Sequence, residues 1–318
     1  MSDASGGAAR TILGNETQIM AEKAALQLMR DPDIAAVLDD LKAELATWPR
    51  GIEGDGADRI EKAVEQWALA VIIDEVSYLR RSDPECVLGS DTTPRRWFGH
   101  TFPGTGKSGD NPDAIYRSTV IDGAGTYEVS GKLDLAKPLV QLLFTMVGGT
   151  MTHPVKVEKA EGETNPDAGI MNVLGMLDEN DLDIAADGSF RFVVGPEGTD
   201  GARLTSLPVP CAFGCRQIIM DWDTPPLRLD IKRLDKHETQ PLDMAELKAT
   251  VLADLANVVK FWAGFPDVWL GGPKPNTFAP PSARDGGWGF IGGVHFKLEP
   301  GEAAVVTMHP GEAAYMGF

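Results

Sequence analysis

The segment Arg216–Asp223 has the strongest chemical character in this chain, because it carries an arginine, a tryptophan and two aspartates within eight residues. In an extended strand alternate residues share a face, so Arg216 lies on the same side as Ile218, Met220 and Trp222. Because these neighbours are apolar, the pattern predicts that Arg216 faces inward. A buried guanidinium is costly unless a carboxylate or a ligand anion pairs with it. The segment therefore predicts that Arg216 has a negatively charged or carbonyl partner.

Two kinds of partner satisfy this prediction. In the functional interpretation, Arg216 anchors an anionic or carbonyl group of a small ligand, and Trp222 contacts the rest of that molecule. In the structural interpretation, Arg216 forms a salt bridge with Asp221 or Asp223 at the end of the strand. The residue types alone leave both interpretations open.

Three further side chains are candidates for acid–base chemistry, namely Asp221, His295 and Tyr116. Carboxylate, imidazole and phenol groups can exchange protons near neutral pH once their surroundings shift their pKa values. His295 and His309 fall on two segments, Val294–Leu298 and Ala303–Met308, whose patterns predict neighbouring strands. The chain's histidines are not spaced as a metal pair on one helix face, so no metal site is assigned and the cofactors are left open.

A glycine- and proline-rich stretch, residues 271–293, predicts a long connection between regular elements. Loops of this length often form lids or binding loops, and Trp269 and Trp288 would then close over a substrate. The alternative is a wrapping connection whose tryptophans fill gaps in the core. We therefore treat Trp222, Trp269 and Trp288 as candidate substrate-binding residues.

Composition excludes several classes of protein. The chain has 29 basic and 47 acidic residues, a formal charge of −18, so nucleic-acid binding and attachment to anionic lipid are disfavoured. No apolar run reaches the length of about 18 residues that a bilayer span needs. Pro103–Ser108 resembles a phosphate-binding loop, but Thr101 stands where that motif requires glycine. The N-terminus lacks the features of a secretory signal and the three cysteines do not suggest a disulfide framework, so we expect a cytoplasmic protein.

Hydrophobic periodicity divides the chain into three regions. Residues 1–81 read as helices, since Asp31-Pro32 is a helix start and apolar residues then recur at helical spacing. Residues 82–112 read as an irregular connection. Residues 113–318 read as an antiparallel β-sandwich, jelly-roll-like, with one inserted helix at about 243–263, because alternating segments are separated by turn residues such as Asp187-Gly188. The sequence therefore predicts an α+β fold with an N-terminal helical layer.

Several short blocks occur in an order that is similar to one known family. They are Asn111-Pro-Asp113 with Tyr116, Ile121-Asp-Gly123, Tyr127 with Gly131, Asp187-Gly-Ser-Phe190, Arg216-Gln with Asp221-Trp222, Leu298-Glu-Pro-Gly-Glu302 and Ala314-Tyr-Met-Gly-Phe318. Over roughly residues 108–318 the chain resembles the proteins catalogued as domain of unknown function 1214. The resemblance implies a β-sandwich core with helical additions and an association with small-molecule catabolic or modifying systems, with no assigned reaction.

Similar sequences usually continue past the aromatic-Gly-Phe block, whereas this one stops at Phe318. A final strand without a successor leaves an open edge, so we expect the chain to assemble with a second copy or another partner.

Two functions remain. The first is an enzyme of lyase or hydrolase type that acts on a small, fairly hydrophobic organic molecule. The alternative is a non-catalytic ligand-binding or assembly subunit that a partner chain completes.

Overall fold

The structure is a computed structural model. It describes residues 13–52, 55–107, 111–137, 140–155, 172–270, 274–278, 281–283, 289–309, 311–313 and 315–317. Helices come first and strands follow, which confirms the α+β class. None of the helices in these ranges is long and apolar enough to cross a bilayer.

The helices form one body around a shared apolar core, here called the helical body. They are α1 (Glu16–Leu28), α2 (Pro32–Leu45), α3 (Pro49–Ile52), α4 (Asp55–Leu79) and α5 (Met244–Leu270). The Asp31 side chain accepts a hydrogen bond from the backbone N–H of Asp33 and caps α2, as its sequence predicts. The middle of α4, residues 68–73, is almost completely buried, because α1, α2 and α5 all pack against this helix.

The inserted helix is longer than predicted and belongs to a different core. It ends at Leu270 instead of near residue 263. Leu247, Val251 and Leu255 are fully buried in the core of the helical body, between α2 and α4, and not in the sandwich. The chain therefore leaves the helical body after α4 and returns to it at α5.

Most of the strands form two facing sheets, here called the sandwich. In chain order they are β1 (Val87–Ser90), β2 (Arg95–Trp97), β3 (His100–Phe102), β4 (Ala114–Asp122), β5 (Tyr127–Lys132), β6 (Gln141–Gly148), β7 (Asn172–Asp178), β8 (Ser189–Pro196), β9 (Ala202–Ser206), β10 (Pro210–Ile218), β11 (Arg228–Arg233), β12 (Ser282–Ala283) and β13 (Phe290–Ile291). The first sheet has the order β1-β4-β10-β6-β7, and the second has the order β11-β5-β8-β9. All pairs are antiparallel except β8 with β9.

Aromatic rings fill the space between the two sheets. Phe144 and Phe213 come from the first sheet, Phe190 and Phe192 come from the second, and Phe144 contacts the other three at centroid distances of 5.0–5.9 Å. On the opposite face of the first sheet, α4 of the helical body contacts β1 and β4. The helical body therefore covers the β1–β4 part of that face.

Three predictions about individual segments are wrong. The connection at 82–112 is not irregular throughout, since it contains β1 and the β2–β3 hairpin. Asp187-Gly188 does not join a hairpin, because β8 pairs with β5 and β9 instead. Residues 294–298 and 303–308 form no strands. Alternating apolar residues describe an extended chain, and an extended chain becomes a strand only where it finds a partner.

Candidate functional site

The register of β10 places Arg216 on the face of the first sheet that points away from the aromatic core. Phe213 and Cys215 face the sandwich core, so Arg216 faces the other way, directly across from Tyr116 on β4. The strand ends at Ile218. Arg216 shares this face with Ile218, which is 1% exposed, whereas the predicted companions Met220 and Trp222 lie beyond the end of the strand.

Arg216 nevertheless lies beside one of its predicted companions. Its guanidinium carbon is 5.9 Å from the centroid of the Tyr116 ring, and its Nη1 donates to Oε1 of Gln141 at 3.3 Å. No salt bridge joins it to Asp221 or Asp223, although both are described residues. The structural interpretation of Arg216 is therefore wrong for these two partners.

A network of polar side chains continues from Tyr116. The backbone N–H of Asn111 donates to Oη of Tyr116 at 3.2 Å. The side-chain amide of Asn111 donates to Oη of Tyr315 at 2.9 Å, and Tyr315 in turn donates to Oδ2 of Asp113 at 2.8 Å. Asn111, Asp113, Tyr116, Arg216 and Tyr315 are here called the Arg216 cluster.

The start of β4 is shaped to present this cluster. The Asn111 side chain accepts a hydrogen bond from the backbone N–H of Asp113 at 2.9 Å, a local turn that asparagine forms readily. The carbonyl of Asp113 then accepts from the N–H of Ile219, just beyond the end of β10. These bonds hold the Asp113 carboxylate at the end of two paired strands.

Burial raises the pKa of the Tyr315 phenol above its ordinary value, and the neighbouring Asp113 carboxylate raises it further. The Asn111 amide and the positive charge of Arg216 oppose this rise. The phenol therefore keeps its proton at neutral pH. A protonated hydroxyl beside a guanidinium can donate a proton to an oxygen that the guanidinium holds.

Two other predicted catalytic residues lie outside the cluster. Asp221 pairs with Lys137, and this contact lowers the pKa of its carboxyl. His295 belongs to an extended segment in which its carbonyl accepts a hydrogen bond from the N–H of Asn276. Within the part of the chain that the structure describes, no contact joins His295 to the Arg216 cluster. The predicted pairing of His295 with His309 on neighbouring strands is wrong, because neither segment is a strand.

The three tryptophans proposed for substrate binding have different outcomes. Trp222 lies next to the cluster, since its Nε1 donates to Oδ1 of Asp113 at 3.3 Å, and its side chain is 76% exposed. Trp288 lies outside the described residues, as does the side chain of Trp269. The lid proposed for residues 271–293 therefore stays a prediction.

Sequence reasoning missed Tyr315, Asp113 and Asn111 as site residues. All three occur in the blocks that carry the family resemblance, so a signal was present. Spacing could not show that they meet, because about 200 residues separate Tyr315 from Asn111 along the chain.

A second polar cluster is buried where α1 meets the β2–β3 hairpin. Glu22 is fully buried, and its Oε1 accepts from Gln18 at 2.9 Å and from Arg95 at 2.8 Å. Its Oε2 accepts from Trp97 at 2.7 Å and lies 2.6 Å from Nε2 of His100. All four lone-pair directions of this carboxylate are used in hydrogen bonds, so the cluster has a structural role. These hydrogen bonds, which join α1 to the β2–β3 hairpin, are here called the Glu22 clamp.

An open groove of about 520 Å³ lies at the hairpin ends of the second sheet, lined by Leu133, Leu135, Pro225 and Pro226 among others, and it contains none of the predicted site residues. No group of three or more histidine, cysteine, aspartate or glutamate side chains in the described ranges is arranged to hold a metal ion.

Comparisons with known proteins establish the fold only. No protein-family model matches the sequence, and no curated protein matches it either. The crystal structure of an uncharacterized protein from Burkholderia cenocepacia matches with a TM-score of 0.60 at 22% sequence identity. The match covers 81% of this chain and 65% of that one, so this chain spans about two thirds of its structural neighbour.

Proposed function

We propose that this chain is an enzyme that acts on a small, partly hydrophobic organic molecule carrying a carboxylate or carbonyl group. The supporting observation is the proximity of a guanidinium and a protonated phenol. Arg216 and Tyr315 belong to one network, with the Asp113 carboxylate hydrogen-bonded to the phenol. A cation that binds oxygen and a hydroxyl that supplies a proton are the components of general-acid catalysis.

In this proposal each residue has a distinct role. Arg216 binds the oxygen of the substrate, since its planar guanidinium matches a carboxylate or carbonyl group. Tyr315 donates its hydroxyl proton to that oxygen or to a leaving group, and the Asn111 amide stabilises the resulting phenolate through its hydrogen bond to Oη. Before the transfer the proton lies on the hydrogen bond to Asp113, so Asp113 is a positioning residue that releases the proton when substrate binds. Tyr116 and the exposed ring of Trp222 supply aromatic surface for the apolar part of the molecule. Such chemistry belongs to lyases and hydrolases.

Binding can be measured before the substrate is known. Benzoate carries a carboxylate and an aromatic ring, and Trp222 beside Asp113 gives a fluorescence signal. We expect saturable quenching in the native protein and at least a tenfold weaker response in Arg216→Met. Arg191→Met, an exposed substitution on β8, is the matched control and should bind benzoate normally. Equal quenching in the two arginine variants would contradict the anchoring role of Arg216.

Catalysis needs a separate measurement. Incubating the protein with a small-molecule extract and recording the extract by mass spectrometry should reveal a compound that native protein consumes. Tyr315→Phe removes only the hydroxyl and should slow this consumption by about 10²-fold or more, while benzoate quenching persists. Benzoate binding without any consumed compound would favour the non-catalytic alternative.

That alternative, an assembly subunit, rests on a different observation. Phe290, Val305 and Val306 are 74%, 88% and 48% exposed, all within one C-terminal stretch. Clusters of exposed apolar side chains often mark interaction surfaces. If the stretch packs against a second copy, light scattering should give a dimer mass, and Phe290→Ser with Val305→Ser should shift it to the monomer. Ile52→Ser, which changes an exposed residue on α3, is the control.

The family resemblance and the cellular location remain parts of this proposal. The Arg216 cluster unites the Asn111-Pro-Asp113, Arg216 and Tyr315 blocks, which supports a shared site in proteins that resemble domain of unknown function 1214. Cys86, Cys211 and Cys215 are free and buried, which is compatible with the reducing cytoplasm.

A further inference from the structure

Arg117 faces the interior of the sandwich. It lies on β4 directly across from Cys215 on β10, whose side chain belongs to the core between the sheets. Its residue is only 3% exposed. Its Nε and Nη2 have no hydrogen-bond partner among the described residues.

No carboxylate in the described part of the chain lies within 4 Å of Arg117. Glu85 and Asp230 lie near Cys86 and act on its pKa, but each has another partner. Glu85 accepts two hydrogen bonds from Thr17, at 2.8 Å and 2.7 Å, and Asp230 accepts one from Arg228 at 3.3 Å. An arginine cannot lose its charge in a protein, so this cation lies buried without a paired anion.

The two thiols beside Arg117 do not supply that anion. Burial raises the pKa of Cys86 to about 12 and that of Cys215 to about 11, although the charge of Arg117 opposes both shifts. Both side chains therefore stay neutral at physiological pH. As neutral groups, the two thiols are small, weakly polar neighbours of the guanidinium.

Other polar side chains line the same inner face of the first sheet. Thr119 and Gln217 are 2% and 3% exposed, and they occupy inward positions on β4 and β10 like Arg117. The Oε1 of Gln217 already accepts the N–H of Leu227 at 2.9 Å. Arg117 also hydrogen-bonds the Cys215 side chain, but its Nε and Nη2 stay without a partner among the described residues. An interior with such a guanidinium, a hydroxyl and an amide is unlike the aromatic core further along the sandwich.

We propose that Arg117 forms an interior anion site that binds one small planar oxyanion of carboxylate geometry between the two sheets. The guanidinium presents parallel N–H donors that match the two oxygens of such an anion, and Nε and Nη2 are a suitable pair. The neutral thiols and nearby Phe144, across β10 from Arg117, limit the site to a small species. This site is on the opposite face of the first sheet from the Arg216 cluster and does not depend on the proposed function.

Anion-dependent stability tests this proposal. Ligands that bind only the folded state raise the unfolding temperature by mass action. At constant ionic strength, we expect acetate to raise Tm of the native protein by about 2 °C or more, saturably, with little effect from chloride or phosphate. Because the proposed function also gives Arg216 a carboxylate to bind, the test is made in Arg216→Met. This variant should keep the acetate rise, and Arg216→Met combined with Arg117→Met should lose it. Retention of the acetate effect in the double variant, or equal effects of all three anions, would overturn the proposal.

Arg117→Lys keeps the experiment decisive if Arg117→Met does not fold. Lysine preserves the charge but not the paired donors, so acetate binding measured by calorimetry should weaken at least tenfold. Native affinity in Arg117→Lys would contradict the two-donor geometry. Bicarbonate, a second planar oxyanion, should compete with acetate for the site, whereas tetrahedral phosphate should not.

Discussion

At the scale of single residues, environment rather than residue type decides which groups can react. Cys86 and Cys215 are free thiols, yet burial raises the pKa of each to about 12 and about 11. Cys211 is also buried, and its pKa is raised in the same direction. Since the thiolate is the nucleophile, all three should be inert in the folded protein.

A thiol-labelling experiment measures this directly. With Ellman's reagent at pH 8, native protein should release less than about one tenth of the expected chromophore in an hour, and urea-unfolded protein should release three equivalents. Rapid labelling of any thiol in native protein would mean that the sandwich opens readily near β10.

Asp187 gives a pH-dependent prediction at the same scale. Hydrogen bonds from Ser189 lower the pKa of this carboxyl first, and Lys132 at 3.1 Å lowers it further. A carboxyl whose pKa is lower in the folded than in the unfolded state stabilises the fold above its unfolded value, near 3.8. This contribution is lost as the pH falls through the folded pKa. Native protein should therefore lose more stability than Asp187→Asn between pH 4 and pH 2 in urea unfolding. Parallel pH curves would contradict the assignment.

At the scale of elements, the buried carboxylate of Glu22 joins α1 to the β2–β3 hairpin. Changing Glu22 to Gln places an amide donor beside Gln18, Arg95 and Trp97, which all donate, and it leaves the Arg95 charge without its closest partner. Breaking a buried ion pair costs about 3–5 kcal/mol. We expect a loss of this size in urea unfolding, together with faster hydrogen exchange in residues 95–102.

The control for this experiment is Glu44→Gln. Glu44 pairs with Lys260 at 2.6 Å, but both side chains are about 40% exposed. An exposed pair contributes about 0–1 kcal/mol. Similar losses in the two variants would show that the Glu22 clamp is no stronger than a surface contact.

Two glycines that flank β8 form a matched pair for a second element-scale prediction. Gly188 and Gly198 have φ values of +84° and +86°, where side chains are strained. A Cβ at Gly188 would lie 2.4 Å from the carbonyl oxygen of Leu133, whereas a Cβ at Gly198 meets nothing within 4 Å. Gly198→Ala should cost about 1–2 kcal/mol of strain, and Gly188→Ala more than that. Equal costs by urea unfolding would show that the turn before β8 relaxes.

At the scale of the whole molecule, local signals predicted the helices and general architecture, while long-range pairing decided the site. The Asp31-Pro32 start and the apolar middle of α4 depend on neighbouring residues, so both could be read directly. The surroundings of Arg216 depend on which strands pair with β10, and the meeting of Tyr315 with Asp113 depends on the path of some 200 residues. Arg117 was in phase with Ile121, a core residue, so its inward direction could have been predicted from β4 alone.

Polar contacts join the two cores, in addition to the apolar contacts of Val87 and Phe102 with the helical core. This arrangement bears on cooperativity. His153, after β6, lies 3.0 Å from the buried carboxylate of Glu75 on α4, and its ring stacks on Tyr78 at 3.6 Å. The Lys107 ammonium pairs with Asp74 at 2.9 Å. These groups are partly or fully buried. If the helical body separated from the sandwich, the carboxylates of Glu75 and Asp74 would lose their partners His153 and Lys107, which costs free energy.

We therefore expect the helical body and the sandwich to unfold together. Phe213→Ala removes a fully buried ring from the sandwich and should cost about 3–5 kcal/mol. Far-ultraviolet circular dichroism measures the urea midpoint of the helices, and thiol exposure of Cys215 measures that of the sandwich. In a cooperative molecule Phe213→Ala lowers both midpoints equally. Leu255→Ala in α5 is the reciprocal variant and should lower both midpoints too. Two separate midpoints, each moved by one variant only, would mean that the polar contacts do not couple the two cores.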